Sequence, residues 1–300
     1  MEKTKRIQSK GEILFSISAH IILFLASVVC VGSFLIVIGA SFQSQEEIMK
    51  YGYSIIPRQC TLEGYKAVFA NSKQLVTAYW NTIITTIIGT VLGVALSASA
   101  GYVMSRKTYK YRNILSFYVF FTMMFNGGLV PSYILISNWL GLKNNLWALI
   151  LPMLVSGWYI ILMKGYFNDV PEALIESAKL DGASELYIFA KIVIPISTPV
   201  LATIALFYVL GYWNDWYLSL LYTTESSLYK LQYLLMNILK SAEFLNSSEA
   251  KALQVDQIAK IPTLNVRMAM CVLAAGPILI IFPFFQKYFV RGITVGAVKG

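Results

Sequence analysis

Charged residues leave six long gaps in this chain, at 13–45, 74–105, 113–142, 144–163, 192–214 and 268–286. Each gap reaches or approaches the ~20 apolar residues that carry a helix across about 30 Å of hydrocarbon. A soluble core helix seldom needs more than about 14 such positions in a row. The pattern predicts an all-α integral membrane protein of six transmembrane helices, over 13–40, 75–104, 113–137, 144–163, 196–221 and 268–287. Lys3, Lys5, Arg6 and Lys10 precede the first segment as in a secretory signal. A signal core runs only about 7–15 residues before a small-residue cleavage site. This one continues to about Ile38, so a retained anchor is expected.

Composition agrees: 57% of residues are hydrophobic and 13% charged, with mean hydropathy +0.63. The basic residues fix an orientation, because positive loops stay cytoplasmic. They gather at the N-terminus, after span two (Arg106, Lys107, Lys110, Arg112), after span four (Lys164, Lys179, Lys191) and in the tail (Lys287, Arg291, Lys299). The loop between spans three and four holds only Lys143. Both termini are therefore expected in the cytoplasm. The net charge of +9 follows from this distribution and calls for no nucleic acid. Three scattered cysteines, Cys30, Cys60 and Cys271, suit neither a disulfide framework nor a metal site. His20 is the single histidine and has no partners for ligation.

Ion-coupled carriers place ionisable groups at mid-membrane. Apart from His20, the one candidate in these spans is Asp215. From a start near Ser197 it lies about 27 Å along span five, near the outer surface. This favours a partner-driven permease over a self-contained ion-coupled secondary carrier.

The loop at 165–195 carries the most specific pattern. Asp169 with Glu172 reads as a capping box, and Pro171 falls in the first turn. A helix follows, stopped at Asp181-Gly182, with a second helix from about Ser184 and Pro195 at the start of span five. Glu176-Ser177-Ala178, three residues, Gly182, nine residues and Ile192-Val193-Ile194-Pro195 resemble the EAA loop of ABC-importer membrane subunits. The usual spelling there has alanine where Ser177 stands and leucine where Ile194 stands. Gly127-Gly128-Leu129-Val130-Pro131, Trp213-Asn214-Asp215-Trp216 and the tail from Gln286 to Gly300 are similar to the maltose-type, binding-protein-dependent permeases of the carbohydrate uptake family. The first of these stretches is most similar to the branch associated with complex oligosaccharides.

The resemblance implies a type I ABC importer permease fold in one domain over 1–300, in the cytoplasmic membrane of a bacterium. It implies a coupling helix seated in an ATPase groove, with Glu176, Ser177, Ala178, Asp181, Gly182 and Pro195 as its residues. On the residues alone, the loop also reads as an amphipathic segment at the lipid surface. The resemblance further implies that the tail, with Arg291, Gly292 and Gly296, reaches between the ATPases; a frayed basic terminus is the plainer reading. The implied partners are a second homologous permease, two ATPase subunits holding ATP and Mg, an extracytoplasmic solute-binding protein and an oligosaccharide. The chain has no GxxxxGK[ST] phosphate loop, and no catalytic residue, bound cofactor or metal is expected of it.

Span five crowds Phe207, Tyr208, Tyr212, Trp213, Trp216 and Tyr217 around Asn214 and Asp215. Such a mixture suits either an interfacial aromatic belt or a saccharide path, with Trp213, Asn214, Asp215 and Trp216 as candidates. Asn81 and Asn126 are further polar positions within spans, suited to helix–helix hydrogen bonds. In the outer loop at 222–267, Leu231, Leu234, Leu235 and Ile238 recur at helical spacing. They predict an amphipathic helix that lies on the membrane or meets the solute-binding protein.

Overall fold

The computed structural model describes residues 10–70, 72–246 and 264–297. Among the described residues the chain is all helical, with no strand. In chain order the α-helices are α1 (Lys10–Ser41), α2 (Gln45–Tyr51), α3 (Glu63–Ala70), α4 (Ser72–Ser105), α5 (Arg112–Met124), α6 (Leu129–Ile134), α7 (Leu151–Leu154), α8 (Gly157–Asn168), α9 (Glu172–Leu180), α10 (Glu185–Ile188), α11 (Ile194–Ile196), α12 (Thr198–Asn214), α13 (Tyr217–Tyr222), α14 (Leu231–Asn246) and α15 (Leu264–Ala297). Wide π turns extend α6 over Leu135–Trp139 and join α10 to α11 over Phe189–Val193.

Among the described residues, three helices are long and apolar enough to cross a bilayer unbroken, over Leu14–Ser41, Ser72–Ser105 and Leu264–Phe284. Three further helix pairs reach that length only together, across a bend. Arg112–Met124 and Leu129–Trp139 meet at 111°, Leu146–Leu154 and Gly157–Asn168 at 47°, and Glu185–Ile196 and Thr198–Asn214 at 83°. The first helix of the first pair, Arg112–Met124, ends well inside the charge gap at 113–142. Gly128, at φ +88, adopts a backbone that disfavours side-chain-bearing residues and turns the chain after Met124. Span five starts at Thr198, close to the expected Ser197, but ends at Asn214 where Asp215 takes an extended conformation.

The residues group into two compact units, Met1–Ala70 with Ser241–Leu273 and Asn71–Lys240 with Ala274–Gly300. In the first unit, Glu47 organises the loop after α1. Its carboxylate accepts from Gln43 Nε2 at 2.9 Å, the Arg58 amide at 2.8 Å and the Gln59 amide at 3.3 Å. The Arg58 amide leads in holding this carboxyl below its ordinary value. The apolar side chains of α1 from Leu14 to Val31 are largely exposed, a surface that only lipid or another protein covers well. His20 Nδ1 lies 2.6 Å from the Ser16 carbonyl oxygen.

In the second unit, α4 packs against α8 and α12. Small residues permit the close approach. A methyl group at Gly89 would overlap the Tyr212 ring, and one at Gly93 would lie 2.7 Å from the Tyr208 ring. The break between α7 and α8 takes backbone carbonyls out of the regular helix ladder, and such groups need partners. Tyr212 Oη donates to the Ile150 carbonyl at 2.8 Å and Tyr208 Oη to the Leu154 carbonyl at 3.0 Å. The bent span is thereby held by two hydroxyls projecting one turn apart from α12.

Candidate functional site

Helices α9 and α10 form a bent bracket with a buried underside and an exposed top. Ile175, Ala178 and Ile188 pack into a core with Met163, Phe167, Val170, Val193 and Tyr102. Glu176, Ser177 and Asp181 are exposed, as are Leu180 at 89%, Leu186 and Tyr187. Ala178 is therefore small because its own core lies beneath it. The turn runs through Gly182 at φ +80, with Gly182 N donating to Lys179 O and Ala183 N to Ala178 O. A Cβ at Gly182 would meet nothing within 4 Å, so the glycine answers to backbone conformation alone.

Across this turn Lys179 Nζ lies 2.6 Å from Glu185, whose other oxygen accepts from Tyr102 Oη at 2.8 Å. Lys107, from the loop after α4, reaches Glu172 at 2.8 Å. The lysine hydrogen bonds lead in holding both carboxyls below their ordinary value. The predicted capping box does not form. Pro171 occupies the N-cap position of α9 without a side-chain hydrogen bond, and Asp169 closes α8 instead. Glu172 turns to Lys107. The second helix does have its cap, since Ser184 Oγ accepts from the Tyr187 amide at 3.3 Å. Pro195 sits in α11, just before the 83° bend at Ser197.

The aromatic cluster at the end of α12 separates into unlike environments. Trp213 is 3% exposed, and its indole donates to the Ala274 carbonyl at 3.0 Å. Asp215 pairs with Lys230 at 3.0 Å and caps α13 by accepting from the Leu218 amide at 3.1 Å. Trp216 is half-buried, with Lys240 Nζ 5.6 Å from its ring centre. Asn214 alone of the four is exposed. Asn81 donates to the Ser227 and Tyr229 carbonyls, and Asn126 accepts from the Gly128 amide.

A cavity of about 320 Å³ opens beside the break in span four, lined by Pro152, Met153, Val155, Ser156, Tyr159, Phe207, Tyr208 and Gly211. Tyr159 and Phe207 stack there with ring centres 5.9 Å apart. Aromatic faces beside hydroxyls and backbone polar groups suit a ligand that has both C–H faces and hydroxyls. The sequence names Phe207 and Tyr208 within the aromatic run of span five and puts the saccharide candidates at 213–216; Tyr159 and Gly211 were not among them. The signal was present, as Tyr208 and Tyr212 stand four apart on α12, matching Gly89 and Gly93 four apart on α4.

The expected amphipathic outer helix is α14, from Leu231 to Asn246; positions 247–263 of that loop lie outside the described residues. The tail positions Arg291, Gly292 and Gly296 fall within α15, whose backbone stays helical to Ala297. Among the described residues, no three His, Cys, Asp or Glu gather as metal ligands.

Residues 89–295 match the family described as the binding-protein-dependent transport system inner membrane component. The chain is 35% identical over 290 residues to the polygalacturonan/rhamnogalacturonan transport system permease protein YtcP of Bacillus subtilis (strain 168), covering 96% of this chain and 99% of that one. It is 37% identical over 281 residues to Protein LplC of the same organism, with 93% of each covered. Among solved structures, it is similar to a bacterial ABC transporter involved in the import of the acidic polysaccharide alginate. That likeness has a TM-score of 0.79 and 26% identity, over 95% of this chain and 100% of that one. The chain thus belongs to the inner membrane components of binding-protein-dependent transport systems, the membrane permeases of ABC importers.

Proposed function

We propose that this permease forms one half of an oligosaccharide path through the cytoplasmic membrane, as six spans with both termini in the cytoplasm. A second permease completes the path, two ATPases drive it and one extracytoplasmic binding protein feeds it. The relatives named for polygalacturonan and alginate support a saccharide cargo. The cavity between α7, α8 and α12 is the site where the saccharide passes this subunit, with the Tyr159 and Phe207 rings against its C–H faces. Of the cluster at 213–216, Asn214 is the member that reaches the path; Trp213 and Asp215 are committed to internal bonds. Residues 165–195 form the coupling loop, and the tail beyond Arg291 extends toward the ATPases as a helix.

The observation that carries the reading is the bracket of α9 and α10. Its underside is bolted into the permease core while Glu176, Leu180, Leu186 and Tyr187 stand exposed on top. An exposed Leu180 beside an unpaired Glu176 suits a partner groove with an apolar floor and a basic rim. A charged hydrogen bond into such a groove contributes roughly 1.5–3 kcal/mol. Forcing a β-branched residue into the left-handed turn costs about 1–2 kcal/mol of backbone strain. Glu176→Lys and Gly182→Val are therefore expected to insert and pair with the second permease. Each is expected to lose ATPase association or to uncouple hydrolysis from uptake. Co-purification of the ATPases and hydrolysis in reconstituted vesicles measure this, and wild-type values for both variants would sink the assignment.

A further inference from the structure

The outer end of α12 is closed by a charge from another part of the chain. Lys230 is 0% exposed and Asp215 8% by side chain. The Lys230 ammonium donates to the Tyr212 carbonyl at 2.6 Å and to Asp215 Oδ2 at 3.0 Å. Both acceptors belong to the point where the helix stops. Carbonyls of a last turn have no partner further along their own helix, and a cation there also answers the negative end of the helix dipole. Asp215 meanwhile caps α13 through the Leu218 amide.

Lys230 immediately precedes α14, and its neighbours are tied down on both sides. Asn81 Nδ2 donates to the Ser227 and Tyr229 carbonyls at 2.8 and 3.2 Å, and the Leu231 amide donates to Thr82 Oγ1 at 2.9 Å. On the inner side, Tyr212 carries the constraint onward. The residue whose carbonyl holds Lys230 donates its hydroxyl to Ile150, next to the α7 wall of the cavity. Gly211 and Tyr208, on the same helix, line that cavity directly.

We propose that Lys230 is a positioning residue, a buried latch that locks the root of outer helix α14 to the end of α12. Displacement of α14 by a binding protein then moves the cavity wall. The proposal rests on the reading of 222–267 as the extracytoplasmic loop that meets that protein. A buried ammonium cannot leave its acceptors without stranding a charge, so the two segments move together. Stability alone would not require the pair, because well-packed neutral replacements of a buried ion pair are often neutral or stabilising.

The test uses the importer assembled with its partner subunits in vesicles, with hydrolysis measured with and without binding protein loaded with oligogalacturonides. Lys230→Met combined with Asp215→Asn removes both charges and keeps an acceptor for the Leu218 amide. The double variant is expected to assemble and to hydrolyse ATP normally without binding protein. Its stimulation by loaded binding protein should fall about tenfold, within the range of allosteric couplings. Lys230→Arg, which can serve both acceptors, should retain part of the stimulation. Wild-type stimulation in the assembled double variant overturns the latch. Should the double variant not assemble, Lys230→Gln alone decides, since it takes the ammonium from both acceptors and leaves a neutral polar side chain; normal stimulation there overturns the proposal and a loss with normal basal hydrolysis supports it. A wild-type importer that ignores its binding protein would remove the underlying reading, and the latch with it.

Discussion

At Gly89 and Gly93 the missing methyl groups make room for the rings of Tyr212 and Tyr208, and those rings then deliver hydroxyls to a broken helix. The fit and the hydrogen bonds are separable. Tyr212→Phe keeps the ring against Gly89 and leaves the Ile150 carbonyl with only the longer bond from the Met153 amide, at 3.3 Å. A typical hydrogen bond contributes about 0.5–1.5 kcal/mol, so the variant should unfold somewhat earlier in detergent, by thermal scan, than the native chain. A melting point equal to the native one would mean that the Met153 amide alone satisfies the carbonyl. Glycine and tyrosine at matching spacing were legible in the sequence, but their pairing needs two segments more than a hundred residues apart to be brought together. Lys230 was not legible at all. A lysine between Tyr229 and Leu231 reads as an ordinary loop charge until the end of α12 is seen beside it.

Among the elements, helix existence followed from the charge gaps and helix straightness did not. A gap without charges reports what lipid tolerates, whereas bends at 125–128, 155–156 and 197 depend on backbone breaks inside apolar runs. Gly127-Gly128 and the prolines Pro195 and Pro199 carried that information as turn signals. The segment at 165–195 was the most legible element, since its helix, left-handed glycine and second helix all lie where the motif puts them. Only its first cap went elsewhere, with Glu172 drawn to Lys107. The two lysine–carboxylate pairs of this bracket predict a pH response. Their carboxyls are held below the ordinary carboxylate value of 4.5. Such groups contribute stability above their unfolded pKa and lose it as pH falls through the lowered folded value. Amide-exchange protection across 172–188, taken relative to the intrinsic rate at each pH, should therefore stay high near neutrality and fall in acid below about pH 4. Both pairs are partly solvated, so the change should be small. Flat protection down to that range would show that apolar packing alone holds the bracket.

For the whole molecule, the gathering of basic residues in alternate loops predicts a topology that thiol labelling can read. In a chain freed of its three native cysteines, Lys107→Cys and Ser184→Cys are expected to react with impermeant reagents only from the cytoplasmic side. Glu225→Cys should react only from outside. All three positions are exposed, so an unreactive site cannot be blamed on burial within this chain. Labelling of position 184 from outside would reverse the topology and detach α9 and α10 from the ATPases.

Helix α15 adds a mechanical consequence. Its 34 residues span about 51 Å at 1.5 Å per residue. The apolar part, Leu264–Phe284, has 21 residues and uses about 32 Å of that, close to one hydrocarbon thickness. The remaining length, about 20 Å, stays helical beyond Pro277 and Pro283, each of which removes one backbone hydrogen bond and allows a bend there. A tail built this way has a phase as well as a reach. Inserting a single residue near Phe284 would turn everything beyond it by about 100° while advancing it only about 1.5 Å. A flexible strand would absorb that insertion; a rigid rod would present a different face to whatever it meets.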